Sequence, residues 1–310
     1  MLKVIKPGFF STIQDNGRFG YQQYGVIVSG VMDQVAFRIG NTLLKQQNKA
    51  VIEMTLIGGT FQFTKQTFIV LSGGRMQATL NERPVHMYET IEVQAGDTLV
   101  CGPIQNGARG YLCIKGGFLV EEILESRSTY IKAKIGGLEG RALKAKDEIP
   151  YEATKGRAIP YRANATPFYK DGPIRILKGT EWMRFSETTL HQFLEQPYMI
   201  SLEADRMGYR LQNETPILLE KPFQLISEAV TFGTIQMPPS GQPIVLMADR
   251  QTTGGYPKIG QVISADLHRL AQKLPKQRIL FELVSMEEAE AAYMKLELEL
   301  RLIENLVHSL

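Results

Sequence analysis

Cysteine is nearly missing from this sequence: Cys101 and Cys113 are the only two in 310 residues. Each lies in an apolar stretch, Thr98-Leu-Val-Cys-Gly and Tyr111-Leu-Cys-Ile, where a thiol behaves as a small buried hydrophobe. Neither has a redox or zinc-like spacing, which argues against a disulfide framework and leaves no metal site to expect. Histidine is also sparse. His86, His191, His268 and His308 stand apart from one another, and His191 and His268 fall on predicted helices, where packing or surface roles are the ordinary ones. Long apolar runs are absent as well: the chain begins Met-Leu-Lys-Val-Ile-Lys-Pro-Gly, without the segment a signal peptide or membrane-spanning helix needs. A cytoplasmic protein with no membrane association is expected. Excess charge is small, 35 basic against 32 acidic residues scattered without long runs. No field for holding a polyanion results, so nucleic acid is not an expected partner. There is no glycine loop ending in Gly-Lys-Ser/Thr and no Gly-x-Ser-x-Gly elbow, which removes the usual signatures of P-loop and serine-hydrolase chemistry.

What is present describes an ordinary folded protein. Apolar residues make up 44% and charged residues 22% of the chain, and its length exceeds what a single core usually supports, so two domains are expected. From Leu2 to about Pro150, short apolar runs end in glycine or Asn/Asp turns: Thr67-Phe-Ile-Val-Leu, Met76-Gln-Ala-Thr-Leu-Asn, Thr90-Ile-Glu-Val, Asp97-Thr-Leu-Val-Cys and Gly110-Tyr-Leu-Cys-Ile. That is the strand spacing of a barrel or sandwich. One helix interrupts it, with Val35, Ile39 and Leu43 four apart behind Asp33 as the N-cap. Around Pro160-Tyr-Arg-Ala-Asn-Ala-Thr-Pro167 the periodicity fades into a linker. A second strand-rich block runs from Ile174-Arg-Ile-Leu to Ile279-Leu-Phe-Glu-Leu-Val, with short helices near Thr188 to Glu195 and Ala265 to Leu274 stopped by Pro197 and Pro275. The expected organisation is a β-rich domain over 1–165, a second over 172–284 and a C-terminal helix over 285–310.

That last segment opens with Ser285-Met-Glu-Glu288, which fits a capping box. Met286, Ala289, Tyr293, Leu296, Leu300, Ile303, Val307 and Leu310 recur at alternating steps of three and four, the seam of a coiled coil. Met294, Leu298, Leu302 and Leu306 form a second apolar row. The helix therefore either meets a partner helix or packs on the chain's own barrel.

Polar chemistry concentrates in two loops, Ile235-Gln-Met-Pro-Pro-Ser-Gly-Gln-Pro-Ile244 and Ala248-Asp-Arg-Gln-Thr-Thr-Gly-Gly-Tyr-Pro-Lys-Ile-Gly260. Loops of this kind often carry function, and their glycines permit close backbone approach. Arg250 can grip a carboxylate or phosphate through two N–H groups, and Lys258 offers a mobile point charge for the same ligand. Gln236, Gln242 and Gln251 each present the donor and acceptor that match an amide, Asp249 is a candidate base, and Thr252 and Tyr256 complete the loop as candidate substrate contacts. The alternative is that Asp249 and Arg250 pair with each other while the glutamines serve loop backbone. Ala204-Asp-Arg-Met-Gly-Tyr-Arg-Leu211 places Arg206 as a further candidate for an anion. Ser29 and Asp33, at the start of the first helix, suit an anion at free N–H groups or simply cap the helix.

Five stretches carry a resemblance: Pro7-Gly-x-x-x-Thr-Ile-Gln-Asp-x-Gly-Arg18, Gly25-Val-x-x-Ser-Gly-Val-Met-Asp33, Ser126-Arg-Ser-Thr-Tyr130, Asp205-Arg-Met-Gly-Tyr-Arg-Leu211 and Asp249-Arg-Gln-Thr-Thr-Gly-Gly-Tyr-Pro-Lys258. They resemble the second subunit of the allophanate hydrolase and urea carboxylase carboxyltransferase family, whose stand-alone members are described as the C subunit of 5-oxoprolinase. The likeness runs from about Leu2 to Phe281. It implies a mainly β fold with short helices, built as two cyclophilin-like β-barrel domains, with the C-terminal helix outside the likeness. Two positions depart from the family pattern: Ser72-Gly-Gly-Arg-Met76 stands where relatives tend to have Thr-Gly-Ala-Asp-Met, and Glu125 precedes Ser126 where glycine is usual.

The resemblance also implies partners: a smaller, B-like 5-oxoprolinase subunit with a related barrel, and a third, A-like protein. Together these would act as an ATP-dependent amidohydrolase that opens the lactam of 5-oxoproline to glutamate, with ATP and magnesium activating the carbonyl. Arg250 or Lys258 would hold the substrate carboxylate or the transferred phosphoryl group, Gln236 and Gln251 would orient the amide, and Asp249 would position water. One alternative is carboxyl transfer from carboxybiotin to urea or another amide. Biotin would then arrive on another chain, because no Met-Lys-Met acceptor occurs here. The other is a non-catalytic regulator that binds a kinase-inhibitor-like partner.

Overall fold

The computed structural model describes residues 1–154, 156, 161–218 and 225–308; Pro160 of the linker stretch and Leu310 of the C-terminal stripe lie outside the described residues. The chain divides into two compact units, one comprising Met1–Phe19, Ser29–Phe168 and Leu298–Leu310, the other Gly20–Val28 and Tyr169–Glu297. The architecture is mainly β, with one sheet curved into a half-barrel and another nearly closed.

In the first unit a nine-stranded sheet is assembled from β1 (Leu2–Lys6), β2 (Phe10–Gln14), β3 (Val51–Thr55), β4 (Thr60–Phe63), β5 (Thr67–Leu80), β6 (Arg83–Val85), β7 (Ile91–Val93), β8 (Thr98–Ile114) and β9 (Glu148–Ile149). Its main path runs β2-β3-β8-β4-β1-β9, and β5 joins at β8 while carrying β6 and β7. Alternation drives the burial. Val4 and Leu2 on β1, Phe61 and Phe63 on β4, and Leu112 and Ile114 on β8 point into one core with Ile69, Leu71 and Val93. The sequence divides β5 and β8 into two runs each, because Gly73-Gly74 and Gly102-Pro103 look like breaks. Instead both strands continue, and the β5·β8 ladder absorbs the irregular residues as register shifts between Gly73 and Ala78. Extra residues of this kind bend and twist a strand without ending it.

Helix α1 (Gln34–Leu43) begins where the sequence places it, with Asp33 Oδ1 accepting from the Ala36 N–H at 2.9 Å. It lies against β5 and β8, and Gly40 permits the approach, since any Cβ there would run into Cys113 Sγ and Ser72 Oγ. Both cysteines are buried and free, and burial pushes each thiol up to about 12, as expected of inert core residues.

The second unit holds an eight-stranded sheet and a two-stranded one. Its elements are β10 (Ile174–Lys178), α2 (Glu187–Glu195), β11 (Tyr198–Ile200), β12 (Gly208–Gln212), β13 (Glu228–Ala229), β14 (Thr234–Gln236), β15 (Ile244–Leu246), β16 (Thr253–Gly254), β17 (Lys258–Val262), α3 (Leu267–Ala271), β18 (Arg278–Ile279) and β19 (Phe281–Leu283). The larger sheet runs β18-β11-β12-β15-β14-β17-β10-β19, while β13 pairs with β16. Phe193 of α2 stacks on Phe281 and packs against Tyr198 at the end of the barrel.

Helix α4 (Met286–His308) starts with the expected reciprocal cap: Ser285 N–H donates to Glu288 Oε2 at 2.7 Å and Glu288 N–H donates to Ser285 Oγ at 3.1 Å. Its first half, through Glu297, belongs to the second unit and its second half to the first. Of the two sequence readings, packing on the chain's own body accounts for one face, since Ala289, Leu300 and Val307 are buried. Among the described residues, no helix is long and apolar enough to cross a membrane.

Two of the recognised motifs close on each other inside the first unit. Asp15 Oδ1 accepts from Ser126 Oγ at 2.6 Å and from the Gly17 N–H at 3.0 Å, and Asp15 Oδ2 accepts from the Arg127 N–H at 2.6 Å. Ser128 Oγ also donates to Asp15. Arg18, fully buried, donates to the carbonyls of Ile123 at 3.0 Å and Ser128 at 2.8 Å. The hydroxyls of Ser126 and Ser128 are therefore donors to a buried carboxylate. Replacing Asp15→Ala would orphan these donors and is expected to cost about 3 kcal/mol, read as a lowered midpoint in urea unfolding with an unchanged m-value.

Candidate functional site

The site of the second unit grows from the pairing of β14 with β17, which sets Gln236 opposite Lys258. Both side chains are buried, at 1% and 8% exposure. Lys258 Nζ donates to Glu228 on β13 and stands 3.9 Å from Glu181 Oε2, whose carboxylate also accepts the Lys258 backbone N–H at 2.7 Å. Glu228 pairs in register with Gly254 on β16. Gly254 closes the ring, because the place its Cβ would occupy is filled by the Gln236 amide nitrogen, with the Gln251 amide nitrogen 3.4 Å away. A side chain at 254 would expel Gln236.

Within this ring Gln236 Nε2 is buried and has no hydrogen-bond partner among the described residues. An orphaned buried amide costs free energy unless a ligand or water satisfies it. Glu228, although exposed, is held below the usual carboxylate range, first by the hydrogen bond from Lys258 and then by its charge.

Arg250 sits one residue before Gln251 and is 7% exposed. Its Nε–H donates to the Val230 carbonyl at 3.4 Å, and Val230 is tied in turn to the Thr252 carbonyl at 3.1 Å. Among the described residues no carboxylate forms an ion pair with it. Burial pulls its pKa down to about 10, against the opposing influence of the Asp249 charge. Asp249 is engaged elsewhere: Oδ2 and Oδ1 accept from Arg206 Nε and Nη2, both at 2.9 Å, and the Asp249 N–H donates to the Arg206 carbonyl at 2.7 Å. The Asp249–Arg250 pair offered as the alternative reading is thus not formed, Asp249 pairs with Arg206 instead, and Arg250 has only the neighbouring Asp249 charge to set against its burial.

The remaining sequence candidates separate. Gln242 serves the loop backbone, accepting the Asn213 N–H at 3.0 Å and donating to the Asn213 carbonyl at 3.5 Å. Tyr256 is 45% exposed, and Gln251 lies at the surface with Thr252 half-buried beside it. Ser29 and Asp33 belong to the first unit, where Asp33 caps α1 as described. Ser29 is buried at φ +54°, and its Oγ has no partner among the described residues. Glu53, which the sequence did not single out, accepts there from the Met32 N–H at 2.8 Å and from Tyr111 Oη at 2.9 Å. The sequence did not single out Glu181 or Glu228 either. Their only signal was a lysine in an otherwise apolar strand, which needs carboxylates that primary structure cannot locate.

In chemical terms the second unit offers a buried guanidinium with N–H groups to spare, an amide donor without an acceptor, and an ammonium between two carboxylates. Taken singly, a guanidinium suits a carboxylate or phosphate and a free amide donor suits a carbonyl oxygen. The arrangement does not resemble a metal centre: among the described residues no group of three or more His, Cys, Asp or Glu stands together.

Comparison with known proteins gives this geometry a context. The family profile described as the carboxyltransferase domain, subdomain A and B, matches residues 24–283. The C subunit of the 5-oxoprolinase of Haemophilus influenzae is 39% identical over 308 residues, covering 99% of each chain. That of Escherichia coli is 37% identical over 292 residues, covering 93% of each. Among solved structures, the urea amidolyase of K. lactis superposes with a TM-score of 0.86 at 26% identity, over 97% of this chain and 20% of that one.

Removing the Arg250 charge and removing the Asp249 partner of Arg206 are expected to act in opposite directions. Folding lowers the pKa of Arg250, so its charged form weakens the native state at neutral pH, a cost that fades only as pH rises past about 10. Arg250→Met should raise stability by about 1–3 kcal/mol at pH 7.5, whereas Asp249→Ala, which strands Arg206, should lower it by about 3–5 kcal/mol. Guanidinium unfolding of the two variants checks the sign of each change.

Proposed function

This chain belongs to the family of carboxyltransferase domains with subdomains A and B, and from that premise we propose that it is the C-type subunit of a 5-oxoprolinase, contributing the substrate cradle to a complex with a smaller subunit and a third protein. The observation that carries this reading is that the second unit holds both a buried Arg250 guanidinium with no ion-pair partner among the described residues and a buried Gln236 amide that is unsatisfied. 5-Oxoproline presents a carboxylate and a lactam, one for each. Relatives named as the C subunit of 5-oxoprolinase match nearly the whole chain, which supports the same substrate.

In this reading Arg250 takes the carboxylate through two N–H groups, and Gln236 donates to the lactam oxygen from a position that Gly254 leaves open. Gln251 faces the same ligand edge, with Thr252 and Tyr256 at the solvent side. Lys258, held by Glu181 and Glu228, would donate from its ammonium to the oxygen that gains electron density when water adds to the ring carbonyl. Asp249 fixes Arg206 and does not position water, since both its oxygens are already committed. ATP with magnesium, implied by the family, would supply the carbonyl activation that a stable amide requires. Among the described residues no group of three or more His, Cys, Asp or Glu stands together, and the roles given to this chain concern the substrate alone.

Carboxyl transfer is the second reading, favoured by the likeness to urea amidolyase. The same cradle would then hold the ureido ring of biotin brought by another chain, with Gln236 on its carbonyl. Inhibition of an active preparation by avidin separates the two.

The assay is glutamate formation from 5-oxoproline and ATP by the three proteins together, with single omissions as controls. Activity should vanish when this chain is left out. Arg250→Ala should keep the complex intact and lower turnover at least ~100-fold. Full activity in that variant would remove the central assignment. Gly254→Ala, which displaces Gln236, should raise KM for 5-oxoproline while leaving KM for ATP in place.

A further inference from the structure

Two carboxylates share the ammonium of Lys258, and they are not equivalent. Glu181 is buried; its Oε2 accepts the Lys258 backbone N–H at 2.7 Å, and its own N–H donates to the Lys258 carbonyl at 3.3 Å. It stands 3.9 Å from Nζ, a contact of charges without a hydrogen bond. Glu228 takes the hydrogen bond itself, yet its side chain is 53% exposed, and β13, which carries it, is a strand of two residues paired with the two residues of β16. Because Glu181 stays beside the ammonium, Glu228 can turn into water without stranding a buried charge. Apart from Lys258, the charge of exposed Arg184 also attracts it. Opposite Lys258 on β14, Gln236 Nε2 is buried and has no acceptor among the described residues. Residues paired across strands share a face of the sheet, so a ligand oxygen that satisfies this amide arrives on the side where Lys258 stands.

Charge decides which oxygen is accepted there. One ammonium between two carboxylates leaves one negative charge in excess. A neutral carbonyl oxygen meets little opposition from it, whereas an anionic oxygen is repelled while Glu228 stays in place and gains an N–H once Glu228 turns away. We propose that Glu228 is a displaceable internal carboxylate, which yields Lys258 to an anionic oxygen of the ligand and reclaims it when that ligand leaves. The identity of the ligand rests on the 5-oxoproline reading. Ring opening breaks the C–N bond, water supplies the second oxygen, and the nitrogen departs as an amine, so the neutral carbonyl held at Gln236 becomes a carboxylate. Glu228 then competes with that new carboxylate for Lys258 and speeds release of the opened product.

Nuclear magnetic resonance of the full chain, isotope-labelled at lysine Cε, reads the exchange, with the Lys258 signal identified by its loss in Lys258→Arg. Inorganic phosphate, L-glutamate and the neutral ring 2-pyrrolidinone are titrated separately. Exposed ion pairs are modest, so Glu228→Gln is expected to tighten phosphate and L-glutamate about 2–5-fold. It should leave 2-pyrrolidinone and the circular dichroism spectrum unchanged. Glu228→Asp keeps the charge but shortens the reach to Nζ, and it should tighten both anions in the same direction. The proposal is overturned if Lys258 responds to neither anion in any variant or if Glu228→Gln leaves phosphate binding unchanged. It is equally overturned if 2-pyrrolidinone tightens as much as the anions, the mark of a loosened loop, or if Glu228→Asp binds phosphate as the unsubstituted chain does, the mark of plain repulsion. Phosphate binding that tightens as expected while L-glutamate leaves Lys258 undisturbed in every variant upholds the exchange and removes the 5-oxoproline reading instead.

Discussion

The barrel of the second unit is organised around a charge pair that it cannot expose: the bidentate contact between Arg206 and Asp249, buried on both sides. Arg206 lies just before β12 and Asp249 just after β15, and those strands are paired neighbours. The pair, reinforced by the Asp249 N–H to the Arg206 carbonyl, pins the loop leaving β15 to the loop entering β12. Everything the cradle needs follows from that point. Arg250 emerges from a fixed residue, Gln251 and Thr252 follow it into β16, and β16 meets Glu228 on β13. A buried ion pair stabilises little in net terms, because desolvating both charges offsets most of their attraction. Its value lies in geometry, since it consumes the acid next to Arg250 and leaves that guanidinium available.

The first unit uses the opposite arrangement. Asp15 gathers its donors from hydroxyls and backbone N–H groups rather than from an arginine, while the adjacent Arg18 is spent on carbonyls. Two sequence motifs 111 residues apart thereby become one clamp. Glu125 shows how the chain departs from its family without losing this clamp. It occupies a left-handed conformation at φ +59°, the conformation that glycine adopts without penalty. Arg75, the other departure, is exposed on β5 within the bulged stretch. Its charge faces solvent.

Much of the fold was legible from alternation and caps. Asp33, Ser285 and Glu288 announced helix starts because capping is a local interaction among residues three apart. The apolar runs announced strands for the same reason. The failures were also local in origin. Gly73-Gly74 and Gly102-Pro103 carry the composition of a turn, yet the ladder between β5 and β8 holds them extended through bulges, and the force that does so comes from a strand far away in sequence.

By itself the sequence determined the β-rich composition of both halves and the capped starts of the first and last helices, since these depend on periodicity and on residues close in the chain; the stretch read as one loop around Arg250 instead contains β16 and ends on β17 at Lys258. Which charges are neutralised and which are left over was decided only by tertiary structure. Asp249 stands beside Arg250 in sequence but pairs with Arg206, Lys258 finds Glu181 and Glu228, and Gln236 ends against Gly254 with its amide unsatisfied. Ion pairing and burial depend on distances across the barrel, and those are set by strand register, a property of the folded sheet as a whole.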